Sequence, residues 1–179
     1  AGRLDEAIAL FEQVLPDRIS VLGLGHPDTL TSRSNLAGAY KTAGRLNEAI
    51  ALFEQVLPDS IRVLGEDHPD TLTSRNNLAS AFKAAGALDE AIALFEQVLT
   101  DSIRILGEDH PQTLAARNNL AGVYASDRRL TEATGQFEQL LADCQRILGT
   151  NNPLTATVSK NLEAARRALE QQEGQSLPE

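Results

Sequence analysis

The sequence predicts an all-α solenoid of antiparallel helix pairs, and three observations carry that prediction. First, the chain repeats every 42 residues: His26-Pro27 returns at His68-Pro69 and His110-Pro111, and in altered form at Asn152-Pro153. Phe11, Phe53, Phe95 and Phe137 keep the same interval, and residues 1–42 match residues 43–84 at 33 of 42 positions. A period near 40 residues means stacked supersecondary units, each burying its apolar face on the next. Second, Pro and Gly recur where helices start and stop. Third, the apolar residues return in helical phase, and no segment alternates as a strand would.

The elements follow in order. Residues 1–26 open at Ala1-Gly2-Arg3-Leu4, the counterpart of Ala43-Gly44-Arg45-Leu46, which is the turn before a second helix. They are expected to form a half repeat with a second helix only, as in a fragment cut from a longer protein. Full repeats are expected over 27–68, 69–110 and 111–152. In the middle one, Pro69 suits the first helical position and Asp70 the positive end of the helix dipole. That first helix carries Leu72, Leu78, Ala79, Phe82 and Ala85 and stops at Gly86, a residue suited to a left-handed cap. A second helix from about Asp89 carries Leu88, Ala91, Ile92, Phe95, Val98, Leu99 and Leu106, then ends at Gly107. Each repeat thus reads as helix, tight turn, helix and a four-residue loop.

Pro16 and Pro58 fall inside second helices, where proline costs about 3 kcal/mol. The stripe Leu46, Ala49, Ile50, Phe53, Leu57, Ile61 and Leu64 nevertheless keeps phase through Pro58, which predicts a kinked but continuous helix. Thr100 and Ala142 mark its straighter equivalents. At the far end, the position of Tyr40, Phe82 and Tyr124 becomes Arg166, a polar replacement that suits a terminal cap. Residues 153–173 are expected to form that capping helix and 174–179 a disordered tail.

Composition narrows the function. The 179 residues are 42% hydrophobic and 23% charged, with a net charge of −9. This is a folding composition. Its acidity argues against nucleic acid, which is bound largely through Lys and Arg, and against anionic membrane surfaces. No run approaches the roughly 20 apolar residues of a membrane span. A single cysteine, Cys144, excludes an internal disulfide framework and fits a reducing, cytoplasmic setting. Abundant Ala and Arg with few Lys suggest a bacterial source.

The run from Ala43 to Phe53 resembles the turn and second helix of a tetratricopeptide repeat, with Ala37, Tyr40, Ala49 and Phe53 at the matching small and aromatic positions. The 42-residue period, the Leu-Gly-x-x-His-Pro-x-Thr loop and Asn76-Asn77-Leu78-Ala79 are similar to the longer variety of kinesin light chains and many bacterial regulatory proteins. Arg33, Arg75 and Arg117 depart from the pattern, standing where ordinary repeats favour tryptophan. Repeat packing is therefore expected to be partly polar, Arg to Asp or Glu. The resemblance implies a right-handed superhelix that acts as a scaffold, with first helices lining a concave surface for peptides or partner proteins.

On a helical wheel, Leu36, Ala37, Tyr40 and Ala43 cluster with Arg33 as a packing face. Thr31, Ser34, Asn35, Gly38 and Thr42 form the opposite face. Its counterparts are Thr73, Asn76, Asn77, Ser80 and Ala84, then Ala115, Asn118, Asn119, Gly122 and Ser126. This face is small, polar and nearly uncharged. Asparagine offers both a donor and an acceptor, so a ladder of them can pair with an extended peptide backbone. Lys41, Lys83 and Arg33 lie near enough in sequence to attract acidic groups. Asn35, Asn77 and Asn119 serve equally well as bonds between neighbouring helices, while Asn76 and Asn118 lean towards the open face.

Other candidates read as structural. His26, His68 and His110 stand one per repeat, about a helix-pair spacing apart, too far for a shared metal; with Asn152 they suit a capping role. Glu66-Asp67 and Glu108-Asp109 lack calcium-loop spacing. Cys144 replaces Ser60 and Ser102 and has no histidine partner nearby in sequence. No phosphate loop, zinc-protease or serine-hydrolase motif occurs, so the chain reads as a non-enzyme that calls for no cofactor. The alternative function is a structural array that self-associates head-to-tail, its half-repeat start leaving Ile8, Phe11 and Leu15 without a first-helix partner.

Overall fold

The computed structural model describes residues 2–175, and among them are eight helices and no strand. They are α1 (Gly2–Leu22), α2 (Pro27–Thr42), α3 (Leu46–Leu64), α4 (Pro69–Ala85), α5 (Leu88–Leu106), α6 (Pro111–Ser126), α7 (Leu130–Ile147) and α8 (Pro153–Gln175). Even-numbered elements are first helices of the repeats and odd-numbered ones second helices. The chain forms two compact units, Ala1–Leu94 and Phe95–Glu179, whose boundary falls inside α5. In unit 1, α2 packs on α1 and α3, α3 packs on α4, and α2 also touches α4. In unit 2, α6 packs on α7, α7 on α8, and α6 touches α8. The predicted all-α array of antiparallel helix pairs is the observed fold. Helix α8 continues through Gln175, two residues into the stretch expected as a tail, and residues 176–179, the rest of that expectation, lie outside the described residues.

Each first helix begins the same way. His26, His68 and His110 are extended N-caps followed by proline, and their Nδ1 accepts from the backbone N–H of Asp28, Asp70 and Gln112 at 3.1–3.2 Å. At α8 the Asn152 Oδ1 does the same for Leu154, at 2.8 Å. This satisfies one orphan donor of the first turn, the capping role expected of both residue types. The turns out of α2 and α4 pass through left-handed Gly44 (φ 77) and Gly86 (φ 80). In the third repeat the same position is Arg128, held at φ 63. A side chain there costs about 1–2 kcal/mol that glycine avoids.

Helices α1 and α3 run unbroken through Pro16 and Pro58. Both prolines are exposed, so the carbonyl each leaves unpaired faces water rather than the core. The equivalent Thr100 adds a hydroxyl bond to the Glu96 carbonyl at 2.9 Å.

A second helix must bury two faces, because α3 lies against both α2 and α4. Ala49, Phe53 and Val56 are accordingly buried, while Ile61 is exposed. A single stripe read from the sequence includes Ile61 and misses Val56. Phe53, Phe95 and Phe137 are among the most buried side chains. On α1, Ile8 is buried rather than open, and Phe11 and Leu15 are half-buried; the exposed large apolar side chains there are Leu10, Val14, Val21 and Leu22.

The arginines in place of tryptophan are anchored by carboxylates. Arg33, 3% exposed, donates to Asp59 at 2.6 Å, and Arg117 donates to Asp143 at 2.7 Å. The bond from Arg33, seconded by Arg62, holds the Asp59 carboxyl below the usual carboxylate range, and Arg117 with Arg146 does so for Asp143. Arg75 lies 3.7 Å from Glu66. Arg33 is thus buried and paired with Asp59 rather than open on the polar face. A second network joins Tyr40 Oη to Glu12 at 2.7 Å, with Arg45 stacked 4.2 Å from the ring centroid and paired with Glu48. Unit 2 repeats it: Tyr124 donates to Glu96 at 3.0 Å under Arg129, which pairs with Glu132. Burial first, then the carboxylate partner, raises the pKa of both phenols. At the cap, Arg166 replaces the tyrosine and reaches Glu138 directly at 2.7 Å.

Candidate binding face of the first helices

The residues of the polar face lie on α2, α4 and α6, turned away from the buried sides of these helices. In unit 1, α2 presents exposed Asn35 and half-buried Ser34, Gly38 and Lys41, and α4 presents half-buried Asn76, Asn77, Ser80 and Lys83. Because α2 and α4 touch, these two sets share one surface. A Cβ at Gly38 would meet nothing within 4 Å, so this glycine opens onto free space.

Two ammonium groups charge this surface. Lys41 Nζ reaches across from α2 to donate to Ser80 Oγ at 2.9 Å. A hydroxyl fixes the side chain without neutralising it. Lys83 makes no ion pair or hydrogen bond among the described residues, and burial pushes its pKa below the ordinary lysine value. An unpaired, half-buried cation is costly unless something outside the chain meets it.

In unit 2 the polar face carries Asn118, Asn119 and Gly122 on α6, all half-buried. Here an asparagine rung closes: Asn161 Nδ2 on α8 donates to Asn118 Oδ1 at 2.9 Å. Asn118, read from the sequence as leaning towards the open face, is therefore bonded to the next first helix. Asn76 and Asn119 are also engaged by other residues. The positions in unit 1 equivalent to Asn118 and Asn161 are Ser34 and Asn77. Among the described residues neither makes a side-chain hydrogen bond, since serine is too short to form the rung. The signal was in the sequence: the asparagine repeats at 42 but its partner position does not.

Cys144 lies away from this face, fully buried, and burial raises its thiol pKa. That protonated, inaccessible state suits packing.

The tetratricopeptide repeat family profile matches residues 1–59, 43–102, 88–142 and 112–173. A kinesin-light-chain-like protein of Podosopora anserina with nearly identical TPR-like repeats is 35% identical, over 97% of this chain and 83% of its own, at TM-score 0.79. A single-substitution variant of that protein gives 35%, 97%, 82% and 0.81. BtubC (BKLC) from P. vanneervenii is 27% identical over 94% of this chain and 67% of its own, at TM-score 0.78. No curated protein matches the sequence significantly.

Proposed function

Since this chain belongs to the tetratricopeptide repeat family, we propose that it is a protein-interaction scaffold whose α2–α4 face holds an extended, acidic peptide. Asn77 carries the proposal: its half-buried amide has no hydrogen-bond partner among the described residues, whereas the equivalent Asn161 is consumed in unit 2. An amide offers a peptide backbone both a donor and an acceptor. Lys41 and Lys83 flank it with charges that no carboxylate of the described chain neutralises, in a molecule of net charge −9. Acidic side chains on the peptide would complete them. A cytoplasmic setting in a bacterium suits the composition and the single buried thiol, and no described helix is long and apolar enough to cross a membrane.

The test is a random-peptide display selection against the parent and the Lys83→Ala variant. An acidic motif enriched on the parent and lost on the variant is expected, with melting unchanged or raised because an unpaired cation is removed. Equal enrichment on both proteins would remove this face from the account. A second reading, association between copies, is favoured by Leu10 (62% exposed) and Val14 (45%) on one helix. Sedimentation that stays monomeric up to millimolar concentration would end it.

A further inference from the structure

We propose that unit 2 carries a separate carboxylate-binding site, in the concavity between the α6–α7 turn and the C-terminal part of α8. The open concavity has a volume of about 380 Å³ and is lined by Arg128, Ala168, Gln171 and Gln172. That volume falls at the small end of ligand pockets. Two independent observations mark Arg128 as its functional group. The first is conformational: Arg128 holds φ 63 at a turn position where the preceding repeats place Gly44 and Gly86 at φ 77 and 80. Strain of that kind persists at functional sites, where a side chain is needed that the backbone disfavours. The second is electrostatic: among the described residues Arg128 makes no ion pair and no side-chain hydrogen bond. Its neighbour Arg129 is committed to Tyr124 and Glu132.

The ligand class follows from the lining. A guanidinium presents a planar fork that matches a carboxylate through two parallel N–H bonds. The Gln171 amide adds a donor for an oxygen and an acceptor for a nearby N–H. Ala168 gives a small apolar floor for methylene groups. Arg167 lies four residues before Gln171 and so shares its side of α8. A singly charged carboxylate suits this site better than a doubly charged phosphate, because Glu170 and Glu173 flank the glutamines in sequence and the chain is acidic overall.

The experiment follows the side-chain amide signals of Gln171 and Gln172 by ¹H–¹⁵N NMR during titration with three probes. These are N-acetylglutamine, which carries one free carboxylate, an end-blocked Gly-Glu-Gly peptide, which also carries one, and inorganic phosphate. Saturable shifts with the two monocarboxylates, and weaker ones with phosphate, are expected. Tighter binding of the blocked peptide assigns the carboxylate to a polypeptide; tighter binding of N-acetylglutamine assigns it to a small metabolite. Arg128→Gly restores the residue of the other repeats, so it should melt no lower than the parent while losing affinity by about tenfold or more. Lower melting of Arg128→Gly would mean that the arginine serves the fold and would overturn the site. So would unsaturable shifts, equal affinity in the variant, or a phosphate response stronger than the carboxylate one.

Discussion

Ser34 and Asn77 in unit 1 occupy the places that Asn118 and Asn161 hold in unit 2, yet only the second pair is joined. The same frame of helices, caps and arginine anchors surrounds both. What differs is one side chain, shorter in unit 1 by the reach of an amide. Where the rung closes, the polar face is spent on stacking. Where it stays open, the half-buried Asn77 amide is left unbonded on the surface that Lys41 and Lys83 charge. On the proposed reading, near-identical repeats divide the work between cohesion and recognition by changing one partner of a pair.

The comparison is tested most severely at the arginine anchors, where the units should differ in degree. Arg33 has a side chain 4% exposed against Asp59 at 25%, while Arg117 and Asp143 stand at 26% and 31%. Removing one partner of a buried pair strands the other charge, so Asp59→Ala should cost about 3 kcal/mol in urea denaturation. Asp143→Ala should cost about 1 kcal/mol, nearer the value of an exposed pair. Equal losses would mean that burial does not distinguish the anchors. The same aspartates give a pH signature. Their pKa is lower folded than the ordinary 3.8, so their stabilisation is complete above that value. It is lost as pH falls from there through the lowered folded values. The parent should therefore lose stability below pH 3.8 faster than the Asp59→Ala variant does.

A smaller effect is expected when the rung is exchanged. Ser34→Asn should allow a bond to Asn77 and raise stability by about 1 kcal/mol, the net worth of one hydrogen bond. It should also weaken any peptide selected on the α2–α4 face. Asn118→Ser should do the reverse in unit 2, opening Asn161 at a similar cost. If Ser34→Asn raises stability and leaves peptide affinity unchanged, the open amide is not what recognises the ligand.

Much of this architecture was legible from the chain. Period, proline starts and glycine stops sufficed for helix order, and the equivalence of Asn152 to three histidines pointed to the caps. Packing of one helix between two others was harder, because it needs two apolar faces; hence a single stripe through Pro58 takes in the exposed Ile61 and omits the buried Val56, whose equivalent Val98 is read as apolar in the next second helix. Arg33 looked available on a wheel, which shows the angle of a residue but not the Asp59 carboxylate waiting on the next helix. The bond that engages Asn118 was hidden for the same reason: its partner lies 43 residues away on α8, and a wheel of one helix does not show it. Arg128 is the clearest case. Its sequence position is that of a turn glycine, and only backbone geometry reveals that an arginine there is strained.

The tyrosine networks have a practical corollary. The chain has two tyrosines and no tryptophan, and the division into units leaves Tyr40 in one and Tyr124 in the other. Each ring sits under a guanidinium, and each hydroxyl is bound to a carboxylate. Unfolding takes away both neighbours at once, changing the emission of that ring. The protein thus comes with one intrinsic optical label per unit. Replacing Tyr40 by phenylalanine, the residue that Phe82 already supplies in the middle repeat, silences the first label and leaves the second to report whether the two halves melt in step.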